Sequence, residues 1–182
     1  PILGIIANPP TNTVWYGFRE KALVLKNTKV SPIKTRTFEK SNCKLIVSNE
    51  NDYKTNVFIK NIKGAKTERL SSSLKFCEIA EGNANLYPRL NSISKWDIAA
   101  GDAIVRAANG IVLNIKGENF NYRTPTVKTG EFFVLSTKII WNDLIVTAFL
   151  MGKASVAPGT VASIATALFF YAFLQQISIY FQ

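Results

Sequence analysis

The chain opens on an apolar run at residues 2–7, Ile-Leu-Gly-Ile-Ile-Ala, whose length suits a buried strand and falls short of a helix. Asn8-Pro9-Pro10-Thr11-Asn12 is a turn cluster, and the β-prone run Thr13 to Phe18 follows it. Residues 2–18 therefore read as a hairpin. Ala22 to Leu25 adds a strand. Residues 26–42 are polar and lysine-rich and read as loop. Lys44 to Ser48 is another short strand, while Asp52 to Lys63 is ambiguous between helix and strand. Ser71 to Glu81 predicts a helix with Leu74, Cys77 and Ala80 on one face and Gly82 as its stop. Asn85 to Pro88 is a short extended piece. The clearest helix is Trp96 to Ala108, where Ile98, Ala99, Ala103, Ile104 and Ala107 hold helical spacing. Asn109-Gly110 ends it, with Gly110 expected to take the left-handed position. Ile111 to Ile115 is a strand, Lys116-Gly117-Glu118-Asn119 a turn, Phe120 to Tyr122 a return, and Glu131 to Leu135 a last strand.

The character then changes. From Ala154 to Gln182 there is no charged residue, and Val161 to Leu174 is apolar apart from small Ser and Thr. Extended to Phe181, the run has about the 20 residues that cross a bilayer, although Gln175, Gln176 and Ser178 interrupt it. Two readings stand side by side: membrane association through 154–181, or a buried or interfacial helix. The pattern divides the chain into a domain at 1–136 and a hydrophobic tail at 137–182.

The 182 residues suffice for one domain with a true core. Lys and Arg number 22 against 12 Asp and Glu, a net charge of +10. That excess is either a solvated basic surface or a preference for anionic partners, and nucleic acid is not the partner expected. The complete absence of histidine removes Ser-His-Asp and Cys-His catalysis and every histidine-bound zinc site. Cys43 and Cys77 form no paired motif, so neither a disulfide framework nor a zinc ribbon is expected, and a reduced cytoplasmic setting follows. No basic segment precedes Pro1 to Ala7, so that run reads as a strand and not as a secretory signal. A chain that opens directly on a core strand is expected to be the back part of a longer domain.

The carboxylates are sparse. Glu78 and Glu81 share a helix face and suit solvent, and Glu50 and Asp52 lie in a polar stretch. No D-x-D pair, H-E-x-x-H run or glycine-rich phosphate loop occurs. Asp97 stands apart, because it opens the best helix. A carboxylate there can cap free N–H groups, and the same place suits a cation beside a phosphate ester.

Ser71-Ser72-Ser73-Leu74-Lys75-Phe76-Cys77, Ile79-Ala80-Glu81-Gly82, Asn85-Leu86-Tyr87-Pro88-Arg89 and Trp96-Asp97-Ile98-Ala99-Ala100-Gly101 occur in this order. Together they resemble the second half of the bacterial 3'(2'),5'-bisphosphate nucleotidases, within the inositol monophosphatase superfamily. The resemblance covers about residues 1–136. It implies an α/β fold, the C-terminal portion of a layered αβαβα sandwich, here followed by a hydrophobic C-terminal helix. It also implies Mg2+-dependent hydrolysis of a phosphomonoester, adenosine 3',5'-bisphosphate above all. By the same resemblance Asp97 matches a metal ligand that also faces the substrate. Ser72 and Lys75 match contacts to the nucleotide and its non-scissile phosphate, and Arg89 matches a further nucleotide contact.

Two departures accompany it. The glutamate and the D-P-x-D-G-T segment that supply most of that family's metal ligands do not occur, so the chain by itself is expected to be inactive, with a separate N-terminal half chain as the partner that would complete it. Where the family carries a histidine after the Lys44–Ser48 strand, this chain has Ser48-Asn49-Glu50-Asn51, with Asn51 the candidate to keep a hydrogen bond. The tail is similar to something else. Leu144 to Phe173, with Ala157-Pro158-Gly159-Thr160-Val161-Ala162-Ser163, resembles the opening of phosphatidylglycerophosphatase A, a membrane lipid phosphatase. The alternatives to a nucleotidase are therefore a non-catalytic, membrane-tethered module and a fragment of such a lipid phosphatase.

Overall fold

A computed structural model describes residues 1–38, 42–62 and 64–137. The apolar tail and its two readings lie outside the described residues. Among the described residues no helix is long and apolar enough to cross a membrane.

The first strands form an antiparallel meander: β1 (Leu3–Asn8), β2 (Thr13–Phe18), β3 (Lys21–Lys26) and β4 (Lys29–Pro32). The hairpin expected at 2–18 is present, with Leu3 opposite Phe18 and Asn8 opposite Thr13. The run 26–42 is not all loop. β4 pairs with β3 through Val30 opposite Leu25 and Pro32 opposite Leu23. Its residues are exposed or half-buried, which is why no alternating pattern marked it.

The second sheet has five strands in the order β6–β5–β7–β9–β8, built from β5 (Lys44–Val47), β6 (Lys66–Arg69), β7 (Leu86–Arg89), β8 (Ile111–Asn114) and β9 (Phe132–Leu135). β5 runs parallel to β6 and β7, and β9 runs antiparallel to β7 and β8. The crossover from β5 to β6 is α1 (Tyr53–Asn61), the stretch whose period was ambiguous. Asp52 starts it by accepting the Thr55 N–H at 3.0 Å and the Thr55 hydroxyl at 2.6 Å. Residues 120–122 form no strand; the return past Gly117 is a single bridge between Leu113 and Asn119.

α2 (Leu74–Ala80) and α3 (Lys95–Ala107) lie between the sheets. One core unites Ile6, Trp15 and Val24 of the first sheet, the inward helix faces, and Ile46, Tyr87, Val112, Phe132 and Val134 of the second. The opposite face of the second sheet buries Leu45, Val47, Leu86, Phe133 and Leu135 beneath Phe58 of α1. Successive strand residues thus enter different cores, as strand alternation requires. The described layers run sheet, helices, sheet, helix, which is the expected α/β sandwich. The outer face of the first sheet carries exposed Leu3, Ile5, Phe18 and Val30.

α3 sits very close to the first sheet because glycines face it. A Cβ on Gly4 would lie 2.1 Å from the Ala100 carbonyl oxygen, and one on Gly17 would lie 2.6 Å from Ile104 Cα. The helix end corrects one expectation. Asn109, not Gly110, takes the left-handed conformation, at φ 70°. Gly110 is required for space instead, since a Cβ there would meet Val105, the Leu135 carbonyl and Thr35 within 2.9 Å.

Candidate substrate cleft

Four chain segments meet at one end of the helix layer: Ile5 to Ala7 of β1, the end of β5, the turn entering α2, and the stretch from the end of β7 into α3. They enclose a cleft of about 680 Å3.

α3 begins after Ser94, and Asp97 occupies its first turn. The Asp97 carboxylate reaches back to accept the Ser94 N–H at 3.1 Å, the acidic arm of a capping box. Both uses foreseen for this residue are thereby compatible. One oxygen is engaged in the cap, and the exposed side chain lines the cleft beside Trp96, which is 70% exposed.

The turn Ser71-Ser72-Ser73 precedes α2, which starts at Leu74 and so is shorter than the Ser71–Glu81 span expected. Ser72 is left-handed at φ 58°, a conformation that costs a side-chain-bearing residue about 1–2 kcal/mol. That backbone turns its carbonyl onto Lys75 Nζ, which donates to Ser72 O at 2.7 Å and to Leu70 O at 3.3 Å. Lys75 is 4% exposed, lines the cleft, and forms no salt bridge with any described carboxylate. Burial, with the nearby Arg89 adding to it, lowers its pKa to about 8.

Arg89 ends β7 and also faces the cleft. Its guanidinium donates to Ser48 Oγ at 2.9 Å, and its Nε is buried with no hydrogen-bond partner. Two cations thus stand at one wall, each short of an anionic partner. Such an arrangement is stable when an anion completes it. The cleft brings together all four sequence-nominated residues: Ser72, Lys75, Arg89 and Asp97.

Among the described residues no group of three or more Asp, Glu, Cys or His could hold a metal ion. Of the carboxylates, Glu50 and Asp97 line the cleft. One or two carboxylates do not form a tight Mg2+ site without phosphate oxygens or further ligands. The described donors therefore do not by themselves fit a resident Mg2+.

Some residues here escaped sequence reasoning. Tyr87 is 2% exposed, burial raises its pKa, and Lys75 Nζ lies 5.1 Å from its ring centre. In the Ser48–Asn51 stretch, where the family carries a histidine, Ser48, Asn49 and Glu50 line the cleft, and Asn49 donates to Ser71 Oγ at 2.7 Å. Asn51 keeps no such bond, and its Nδ2 is buried without a partner. Glu81 does not face solvent as expected. It accepts the Trp15 indole N–H at 2.5 Å and pairs with Lys26 at 2.6 Å, joining α2 to the first sheet. Asp102, fully buried in α3, accepts from Arg106 at 2.6 Å and from the Tyr122 hydroxyl at 2.7 Å. It anchors the loop after β8 and does not line the cleft.

Two sheets with helices layered between them define an α/β sandwich class of protein. The particular family is the inositol monophosphatase family, to which this chain belongs: the family model matches residues 1–149. The chain is 39% identical over 125 residues to the 3'(2'),5'-bisphosphate nucleotidase CysQ of Buchnera aphidicola, covering 67% of this chain and 46% of that one. It is 33% identical over 122 residues to the CysQ nucleotidase of Salmonella typhimurium, covering 67% of this chain and 49% of that protein. The chain therefore spans about half the length of the curated relatives it matches. Among solved structures, CysQ from Bacteroides thetaiotaomicron superposes with a TM-score of 0.69 at 23% identity, over 74% of this chain and 58% of that one, a likeness of fold.

Proposed function

We propose that the cleft is the phosphate-holding wall of a phosphomonoesterase site of the 3'(2'),5'-bisphosphate nucleotidase type, with adenosine 3',5'-bisphosphate or a similar phosphomonoester as ligand. One observation carries this reading: the buried, carboxylate-free Lys75 stands in the same wall as Arg89, whose Nε has no partner. The ligand's phosphates would take the place of the missing counter-charge, and the Ser71–Ser73 turn would offer hydroxyls to the same oxygens. Family membership and the CysQ relatives support the same chemistry. Asp97 would contribute one ligand to a Mg2+ held jointly with the substrate phosphate.

With so few carboxylates at the cleft, the 182-residue polypeptide by itself binds the ester and turns it over slowly or not at all. A phosphate-release assay with adenosine 3',5'-bisphosphate and Mg2+ tests this. The expected result is negligible release by this polypeptide and gain of release when a separately expressed N-terminal half of a CysQ relative is added. Robust Mg2+-dependent turnover by the 182 residues alone overturns the inactivity. A second reading, a non-catalytic module, is favoured by the absence of a three-carboxylate cluster among the described residues. It requires that no nucleotide bind at all.

A further inference from the structure

Two of the segments lining the cleft follow neighbouring parallel strands: Ser48 to Glu50 after β5, and Ser71 to Ser73 after β6. Neither belongs to a helix or a strand. Their backbone groups have no regular ladder, so side chains must hold them in place. Arg69, the last residue of β6, does this. Its Nη1 donates to the Ser48 carbonyl at 3.1 Å and to the Asn49 carbonyl at 2.7 Å. Bonds from a charged donor are the stronger kind. The two residues held in this way both reach across the cleft wall. Ser48 Oγ accepts from Arg89 Nη1 at 2.9 Å, and Asn49 Nδ2 donates to Ser71 Oγ at 2.7 Å. One guanidinium thus fixes the backbone from which the supports of Arg89 and of the serine turn project. Arg69 is exposed and forms no salt bridge with any described carboxylate. It also lies outside the sequence segments that nominated the cleft residues.

We propose that Arg69 is a positioning residue of the cleft: by gripping the Ser48 and Asn49 carbonyls it aims the Ser48 hydroxyl at Arg89 and the Asn49 amide at Ser71, and so sets the spacing of the groups that receive the ligand's phosphates. This rests on the reading of the cleft as a phosphomonoester site. Arg69 is not among the residues lining the cleft and acts through the two side chains. Small displacements of the turn matter, because a ligand gripped by several groups loses part of each bond when their spacing changes.

The test is calorimetric titration of the whole chain with adenosine 3',5'-bisphosphate in chelator. Arg69→Ala should weaken binding about fivefold, as the bonds from the loosened turn fall out of line. Arg69→Lys, whose ammonium can still bond the carbonyls, should recover most of that loss. Ser48→Ala/Asn49→Ala should lose at least as much as Arg69→Ala. In that double background Arg69→Ala should cost nothing further, as expected of a residue that acts only through those two side chains. Thermal unfolding confirms that each variant is folded, and Arg69→Gln replaces Arg69→Ala should the latter not fold. Wild-type affinity in Arg69→Ala, or no recovery in Arg69→Lys, would overturn the positioning role and leave the cleft reading standing. A loss that persists in the Ser48→Ala/Asn49→Ala background means that Arg69 acts by another route, and overturns the proposal equally. If wild type binds no bisphosphate, the cleft reading fails and this proposal falls with it.

Discussion

Lys75 and Tyr87 face each other across 5.1 Å between ammonium and ring centre, both almost wholly buried at the inner wall of the cleft. Burial lowers the lysine's pKa from 10.5 to about 8. Anion affinity should therefore be highest below that value and fall as pH rises through about 8, as the ammonium loses its proton. The sign for folding is opposite. Between about 8 and 10.5 the unfolded chain holds a proton that the folded one has released, so the lysine's contribution to stability rises with pH across that window. Lys75→Met should remove the pH step in binding and weaken affinity roughly ten- to a hundredfold. Titrations at pH 6.5, 7.5, 8.5 and 9.5 would show it.

Asp97 performs two tasks that one substitution separates. Asp97→Asn weakens the bond to the Ser94 amide and should lower stability by about 0.5–1 kcal/mol. It should also abolish any strengthening of bisphosphate binding by Mg2+, while binding in chelator stays near wild type. Thermal unfolding gives the first effect, and titration with and without Mg2+ gives the second.

The closeness of α3 to β1 is a packing claim with a sharp consequence. Gly4→Ala would drive a methyl to 2.1 Å from the Ala100 carbonyl, a backbone atom that cannot swing aside. We expect a loss of about 1–3 kcal/mol, the cost of overpacking. That lowers the melting temperature by several degrees, about 2–4 °C per kcal/mol. Gly64, unlike Gly4, sits at a positive φ, 78°, and an added methyl there meets nothing within 4 Å. Gly64→Ala isolates the backbone cost alone, and its unfolding midpoint is the control.

Both thiols are sealed. Burial pushes Cys43 up to about 11, and burial with Glu81 and Glu78 nearby pushes Cys77 well above the ordinary thiol range. Neither should react with a thiol reagent at pH 8 until the fold opens. Rapid labelling in denaturant and slow labelling in its absence is the expected contrast; fast labelling of the folded chain would contradict the packing.

Strands and helices with a strong apolar period were legible: the 2–18 hairpin, both inner helices, and the strands around Ile46, Val112 and Val134 all fall where hydrophobicity places them. β6 was not, because all four of its residues are exposed at the edge of the sheet and its side-chain link to β5, the Lys44–Glu68 ion pair, leaves no hydrophobic period in the sequence. α1 was hidden for a related reason: only Thr55 and Phe58 of it are buried, too few to mark a face. In the cleft, the charged residues were found through their motif. Tyr87 and Ser48 were not, because a buried tyrosine between apolar neighbours is indistinguishable in sequence from ordinary core. Glu81 was misjudged because its partners, Trp15 and Lys26, are far away along the chain.

Equilibrium titration of the wild-type chain with adenosine 3',5'-bisphosphate, AMP and adenosine tests the central claim most directly, since the three differ only in phosphate number. Affinity should fall in that order, and Lys75→Met or Arg89→Ala should erase most of the difference. Adenosine binding as tightly as the bisphosphate, or a bisphosphate affinity indifferent to both substitutions, would contradict the account.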